Sequence, residues 1–237
     1  MLSIETSTLT GAVALLQAGR LVAESRVSVA VTHGERLMAA IDGVLRSARW
    51  ELGDVDGFAV ALGPGSFTGL RIGLSTVKGL AFATGKPVVG VPTLDALAWR
   101  LPFCAYPVCP VLDARKNEVY TALYLTRDGR LDRLEAARAV GPAILAEELR
   151  ATTEGPVVFL GDGVAPFASL FAEMLGTRVR LAPADLRLPS AVTVGELGGW
   201  ALARGETADA AGLVPLYLRP SEAELARERR QAAARQH

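Results

Sequence analysis

The spacing of apolar and polar residues changes several times along the chain, and each change predicts a secondary-structure boundary. Short apolar runs between turn residues predict β-strands, whereas apolar residues three or four apart predict helices with one buried face. In the first half, strands are predicted at residues 2–5, 11–18, 20–27, 57–62 and 87–91. Helices are predicted after Thr32, with Glu35 completing a capping box, and at residues 67–84 and 93–99.

The second half repeats this order. Strands are predicted at residues 108–113, 119–125, 131–134 and 156–160, and helices at 142–150 and 164–175. In each half the first strand ends in an acid, a hairpin turn holds a glycine (residues 17–20 and 127–130), and a later strand ends at a glycine. The matching pairs are Glu5 and Asp113, Gly19 and Gly129, and Gly63 and Gly161. This self-similarity indicates a duplication, although unrelated βαβ units also share such punctuation.

A segment rich in proline that also contains both cysteines, residues 101–110, predicts the boundary between two lobes. The lobes are therefore expected at residues 1–100 and 101–220, with a helix at 193–204 and an extended stretch at 213–220 closing the second. Residues 221–237 form a charged tail that begins at Ser221. Because this tail mixes arginines with glutamates, it is more typical of a solvated helix than of an RNA-binding arm.

Charge, histidine and cysteine counts exclude several classes of function. The 25 basic and 25 acidic side chains cancel, whereas a protein that grips nucleic acid by itself needs a basic excess. With only His33 and His237, a metal site built on a histidine pair is excluded. The spacing of Cys104 and Cys109 predicts free thiols. Short apolar runs and the absence of signal-peptide features in the first residues predict a cytosolic protein.

The most distinctive motif is the glycine-rich string GPGSFTGLRIG at residues 63–73. It follows an apolar strand and opens a helix, so its backbone N–H groups could hold an anion. Equally, its glycines could serve only to form the turn and to let helices approach closely. The string lacks the Gly-Lys-Ser/Thr ending of a Walker A loop, and Thr68 replaces the third glycine of a dinucleotide fingerprint.

Two loops at strand ends are candidate nucleotide loops. Residues 5–8, Glu-Thr-Ser-Thr, are similar to the phosphate-facing loop of actin-like ATPases, and residues 113–120 are their counterpart in the second half. The second loop offers bulky charged side chains instead of glycines, which argues against ATP hydrolysis in a cleft between the lobes. The candidate, vestigial positions are Glu5, Thr6, Ser7, Gly63, Gly65, Asp113, Gly161, Asp162 and Gly163.

The helix at residues 67–84 is apolar around more than one face. Such a helix is usually buried on two sides. The second side is predicted to face either a partner chain or a deep core of the same chain, and the pattern leaves both open.

Six strings together resemble the TsaB (YeaZ) family: residues 4–8, 13–16, 63–73, 113–120, 161–163 and 217–219. The resemblance covers nearly the whole chain. It implies an α/β, duplicated actin-like (ASKHA, ribonuclease H-like) two-lobed fold. It also implies a non-catalytic relative of the transferase TsaD, whose metal is held by a histidine pair on the first long helix. Only His33 matches that pair here, so the resemblance implies no metal and no catalytic residue in this chain.

The resemblance also implies partners. The first two long helices would pack against their counterparts in TsaD or in a second copy of the chain, and the ATPase TsaE would join to modify adenosine 37 of tRNA, which this chain would meet only through the complex. ATP or ADP is implied at the interface of the complex and no cofactor is held tightly by this chain. The interface is predicted to contain His33, Leu37, Met38, Ile41, Leu45, Leu70, Leu74, Val77 and Ala81.

Two enzymatic alternatives remain at this point. An actin-like kinase or ATPase would use Glu5 and Asp113 as metal-directing acids. A metal-dependent peptidase is disfavoured because the histidine count gives it no ligand pair.

Overall fold

The computed structural model describes residues 1–28, 33–127 and 129–219, which fold into two β-sheets with helices around them. The first half contains β1 (Leu2–Glu5), β2 (Thr10–Gln17), β3 (Arg20–Ser28), α1 (His33–Ala48), β4 (Phe58–Gly63), α2 (Phe67–Thr84), β5 (Val88–Pro92) and α3 (Thr93–Ala98). The second half contains β6 (Val108–Asp113), β7 (Val119–Arg127), β8 (Arg130–Val140), α4 (Pro142–Thr152), β9 (Val157–Leu160), α5 (Val164–Leu175), β10 (Val179–Leu181) and α6 (Ala191–Ala203).

The two sheets share one topology, which confirms the predicted duplication. The first has the order β3-β2-β1-β4-β5 and the second the order β8-β7-β6-β9-β10. In each sheet the central strand is antiparallel to the next strand of its half and parallel to the strand after the long helix. This is the two-lobed α/β architecture expected from the sequence.

Local chemistry fixes the ends of α2, which the sequence predicted without error. The Ser66 hydroxyl accepts a hydrogen bond from Gly69 N at 3.3 Å and caps the first turn. Gly85 ends the helix with φ +68° and donates its N–H to the Ala81 carbonyl, a conformation that glycine adopts without strain. The bounds of β1, β6 and α5 were also predicted correctly.

Helices α1 and α2 cover one face of the first sheet. Leu2, Ile4 and Phe58 from the sheet share a buried apolar cluster with residues of both helices. The corresponding core of the second lobe contains Val111 and Phe159 together with side chains of α4 and α5. Each lobe therefore has its own hydrophobic core, and about 100 residues per lobe are enough to form one.

Helix α6 packs on the sheet of the first half, and helix α3 lies between the two sheets. Leu94 and Leu97 of α3 lie in a cluster with second-sheet residues, while Val194 of α6 lies against Ala59 in the first sheet. A Cβ on Gly198 of α6 would stand 2.4 Å from Ala59 Cβ, so this close approach requires glycine. Strands β1 to β5 lie within residues 1–100 and strands β6 to β10 within 101–220, while α3 and α6 make contacts across that division.

Several expectations need correction or fall outside the described residues. Strand β10 was not predicted, and β8 extends to Val140 instead of ending at Leu134. Thr32, Asp128 in the second hairpin turn, and the tail at 221–237 lie outside the described residues. Both cysteines are free thiols, as predicted. None of the helices in the described ranges combines the length and apolar character needed to span a lipid bilayer.

Candidate functional site

A cleft of about 550 Å³ lies between the lobes, where the ends of β1 and β6 meet the start of α2. It is lined by four predicted positions from both halves, Ser7, Gly65, Asp113 and Asp162, and also by Arg115, Lys116, Tyr217 and Arg219. The other predicted loop positions, Glu5, Thr6, Gly63, Gly161 and Gly163, do not line it. The structure therefore brings the two predicted loops together at one place.

The loop after β1 is pressed against the glycine-rich string. Ser7 N donates to Glu5 Oε1 at 2.5 Å, and Ser66 N donates to the Ser7 carbonyl at 2.6 Å. A Cβ on Gly65, whose φ is +158°, would stand 2.3 Å from the Ser7 carbonyl oxygen. Of the two alternatives left open by the sequence, these contacts favour a string that lets backbones approach.

The loop after β6 is closed by its own side chains. Asp113 N donates to Asp162 Oδ1 at 3.2 Å, and Arg115 N donates to Asp113 Oδ1 at 2.7 Å. Arg115, Lys116 and Asn117 all have left-handed φ angles of 62°, 54° and 60°, each at a cost on the order of 1 kcal/mol. The bonds of the Asp113 carboxylate and of Asp162 hold this unusual turn in place.

Several backbone donors of these loops, which a nucleotide's phosphates would need in an actin-like fold, are already used within the chain. Phosphate is normally held by backbone N–H groups that have no partner within the protein. Here the N–H groups of Ser7, Ser66, Asp113 and Arg115 are all bonded within the chain. In the described ranges, no three His, Cys, Asp or Glu side chains are placed to hold a metal ion.

Glu5 lies behind the cleft as a fully buried carboxyl group. Burial raises its pKa to about 7, and the nearby charge of Asp162 raises the pKa further, while hydrogen bonding from Ser7 opposes the shift. Its second oxygen, Oε2, and the Ser7 hydroxyl are buried without a hydrogen-bond partner among the described residues. An ionised Glu5 therefore lacks the hydrogen bonds that a buried carboxylate needs.

Replacing Glu5 by glutamine is expected to change how stability depends on pH. The carboxyl has a pKa of about 7 in the folded chain against 4.5 as its ordinary value, so the folded chain holds a proton that the unfolded chain releases. Wild-type stability should therefore fall by about 2.5 kcal/mol from this group as pH rises from 5 to 8. Glu5→Gln cannot ionise and should escape this loss.

Urea unfolding at pH 5 and pH 8 measures the difference. The control is Glu173→Gln, the same change at an exposed position of α5, which should follow the wild-type pH dependence. If wild type and Glu5→Gln lost stability in parallel between pH 5 and pH 8, the pKa of Glu5 would not be raised in the folded chain.

The predicted interface helices are adjacent, but most of the predicted interface residues point inward. Seven of the nine are buried in the core of their own chain: Leu37, Ile41, Leu45, Leu70, Leu74, Val77 and Ala81. All but Leu70 share one apolar cluster with residues of the first sheet. Buried side chains of this kind are not available for a surface contact in the folded chain. Helix α1 begins at His33, whose side chain lies outside the described part of the structure. Only Met38, which is 52% exposed, is found on the surface as predicted.

The outward faces of α1 and α2 carry residues that the prediction left out. Phe82 is 93% exposed, the highest value among the large exposed apolar side chains of the described residues. Ser75 and Gly79 lie on the same exposed side of α2, and a Cβ on Gly79 would contact nothing within 4 Å. The spacing 75, 79 and 82 is a helical stripe, which could have been read from the sequence once the inward stripe was known. We call Met38, Ser75, Gly79, Phe82 and Ala83 the outer helical face.

Sequence comparison relates the chain to one family. A family model described as TsaD, tRNA N6-adenosine threonylcarbamoyltransferase, matches residues 27–227. The tRNA threonylcarbamoyladenosine biosynthesis protein TsaB of Bacillus subtilis is 34% identical over 224 residues, covering 94% of this chain and 96% of the relative.

Structure comparison agrees. YeaZ from Pseudomonas aeruginosa superposes with a TM-score of 0.76 at 32% identity, covering 92% of this chain and 98% of that protein. The ethanolamine utilization protein EutJ from Carboxydothermus hydrogenoformans has a TM-score of 0.55 at 14% identity, covering 83% and 89%, a likeness of fold alone. The fold is thus the actin-like ASKHA architecture. Since close relatives match over more than nine-tenths of its length, the chain belongs to the TsaB (YeaZ) family.

Proposed function

We propose that this chain is a non-catalytic, cytoplasmic subunit of tRNA threonylcarbamoyladenosine biosynthesis that binds and stabilises TsaD. In this proposal the outer helical face packs against the matching helices of TsaD, and TsaE joins the pair. The tRNA is met only through the complex, and ATP or ADP is bound at the interface of the complex.

The exposure of Phe82 is the observation that carries the proposal. A phenylalanine that is 93% exposed on an ordered helix gains nothing for the lone chain. Aromatic side chains are the commonest anchors of protein interfaces. Next to it on α2, Gly79 and Ser75 leave room for the close approach of a second helix.

Self-association would use the same surface. A two-fold dimer places one patch against its own copy, so a second copy of this chain and TsaD would compete for the outer helical face. The homodimer is then the form expected when TsaD is absent.

Features of the cleft support a non-catalytic role for this chain. The backbone donors of Ser7, Asp113 and Arg115 are bonded within the chain, and residues 115–117 of the second loop are left-handed and carry bulky side chains instead of glycines. The balance of 25 basic and 25 acidic side chains offers no excess charge for tRNA. Both features favour a subunit whose contribution is made through its partner.

Light scattering of the purified chain with and without TsaD tests the proposal. The mixture is expected to form a heterodimer at the expense of the homodimer, and the lone chain is expected to show no transferase activity. The opposite result is a chain that stays monomeric, does not bind TsaD, and binds and hydrolyses Mg-ATP by itself. Such a chain would be an enzyme of the actin-like kinase or ATPase class.

A further inference from the structure

A second cavity of about 770 Å³ lies at the opposite end of the first sheet from the cleft. Met1, at the start of β1, lines it, as does the tight turn between β2 and β3. One indole ring comes from each side of the sheet: Trp50 follows α1, and Trp200 lies on α6. The volume is that of a pocket for a small organic ligand.

The charges around this cavity are mainly negative. Asp54, Asp56 and Glu196 line it, against one cation, the α-ammonium group of Met1. That ammonium donates to the Leu16 carbonyl at 3.0 Å. Burial lowers its pKa, and the nearby charge of Asp56 opposes this shift without reversing it. The lining thus holds three carboxylates and one ammonium group, which leaves an excess of negative charge.

Trp99 fixes the two groups that α6 contributes. Its indole N–H donates to Glu196 Oε2 at 3.0 Å, and its ring meets that of Trp200 edge to face with centroids 4.9 Å apart. Trp200 nevertheless remains 43% exposed, with ring surface open to the cavity. A carboxylate and an indole held side by side form a pre-organised site for a cation.

We propose that this pocket binds a linear organic cation of the polyamine class. Asp54 and Asp56 stand on the side of the cavity that follows α1, and Glu196 stands on α6. A ligand with amines at both ends pairs with both groups of acids, while its alkyl chain and one ammonium contact the indole rings. A single metal ion would leave most of the apolar wall uncovered.

Gly199 provides a way to close the pocket without disturbing the fold. It lines the cavity from α6, and a Cβ there would meet no atom within 4 Å. A leucine at this helical position has better helix propensity than glycine and extends into the empty space. Gly199→Leu should therefore fold normally and exclude the ligand.

Calorimetry of the full chain with spermidine tests the proposal. One spermidine is expected to bind per chain, and n-butylamine, with a single ammonium, is expected to bind at least tenfold more weakly. Gly199→Leu should lose binding. Glu196→Gln should weaken binding about fivefold, the worth of one exposed ion pair, while its amide oxygen still accepts the Trp99 N–H.

The matched control is Glu173→Gln, which removes the same charge from an exposed position on α5, outside the pocket. It should bind spermidine as the wild type does. Equal weakening by Glu173→Gln and Glu196→Gln would mean diffuse attraction to an acidic surface and would overturn the proposal. So would undiminished binding by a folded Gly199→Leu variant, or no binding by the wild type at millimolar spermidine. None of these results depends on whether the chain binds TsaD.

Discussion

Leu74→Asp is expected to destabilise the fold strongly instead of weakening an interface. Leu74 is 4% exposed and lies in the cluster between α2 and the first sheet. The substitution removes a buried leucine, at about 3 kcal/mol, and buries a carboxylate without a partner, at several more. Because a domain of this size is stabilised by about 5–15 kcal/mol, urea unfolding should show a loss of at least about 4 kcal/mol.

Ser75→Asp is the control, because Ser75 is the next residue on the same helix and is exposed. It should change the free energy of unfolding by no more than about 0.5 kcal/mol. If Leu74→Asp stayed as stable as Ser75→Asp and merely lost association, the inward orientation of this side of α2 would be wrong.

The sequence was sufficient for the fold because both halves carry strong local signals. Ser66 and Gly85 mark the ends of α2, and the acid at the end of each first strand aligns the two halves. The packing of α6 on the first sheet and of α3 between the two sheets was not predictable in this way. The small residues of α6, such as Gly198 against Ala59, suit close packing on any sheet. The spacing of apolar residues along the helix does not indicate on which of the two sheets it packs.

Strands at the sheet edges were the least predictable elements. In β8 most side chains are polar or partly exposed, so the alternation of apolar residues fades beyond Leu134. Strand β10 has three residues and pairs only with β9, which is too short for a period to be recognised.

Most of the side chains that the sequence proposed for an interface are buried in the structure. A helix that is apolar on two faces does not reveal which stripe turns inward. The prediction selected the larger aliphatic residues, and these are the ones that the chain's own core takes up. The closure of the cleft was partly visible, since bulky residues at 115–117 replace glycines. The hydrogen bonds of Ser7 N to Glu5 and of Asp113 N to Asp162 depend on the folded geometry of the loops, which the local sequence does not specify.

We expect the inward stripe of α2 to determine the stability of the chain and the outward stripe to determine its association. Leu74 and Val77 hold the helix on the sheet, whereas Phe82 contacts solvent. Substitutions on the two stripes should therefore give separate effects, since residues without shared contacts act nearly independently.

Phe82→Lys is expected to weaken binding to TsaD about 30-fold or more while leaving the fold intact. An aromatic anchor at the centre of an interface is worth about 2 kcal/mol or more. Lysine suits the last turn of a helix, where a cation is favoured by the helix dipole, so stability should change little. Titration calorimetry against TsaD measures the affinity, and light scattering of the variant alone should show loss of the homodimer.

Phe103→Lys is the matched control, because Phe103 is also strongly exposed, at 79%, but lies at the boundary between the lobes, outside the outer helical face. It should bind TsaD as the wild type does. Equal losses from both substitutions would indicate a general effect of removing surface phenylalanines, and unchanged affinity in Phe82→Lys would place the interface elsewhere on the chain.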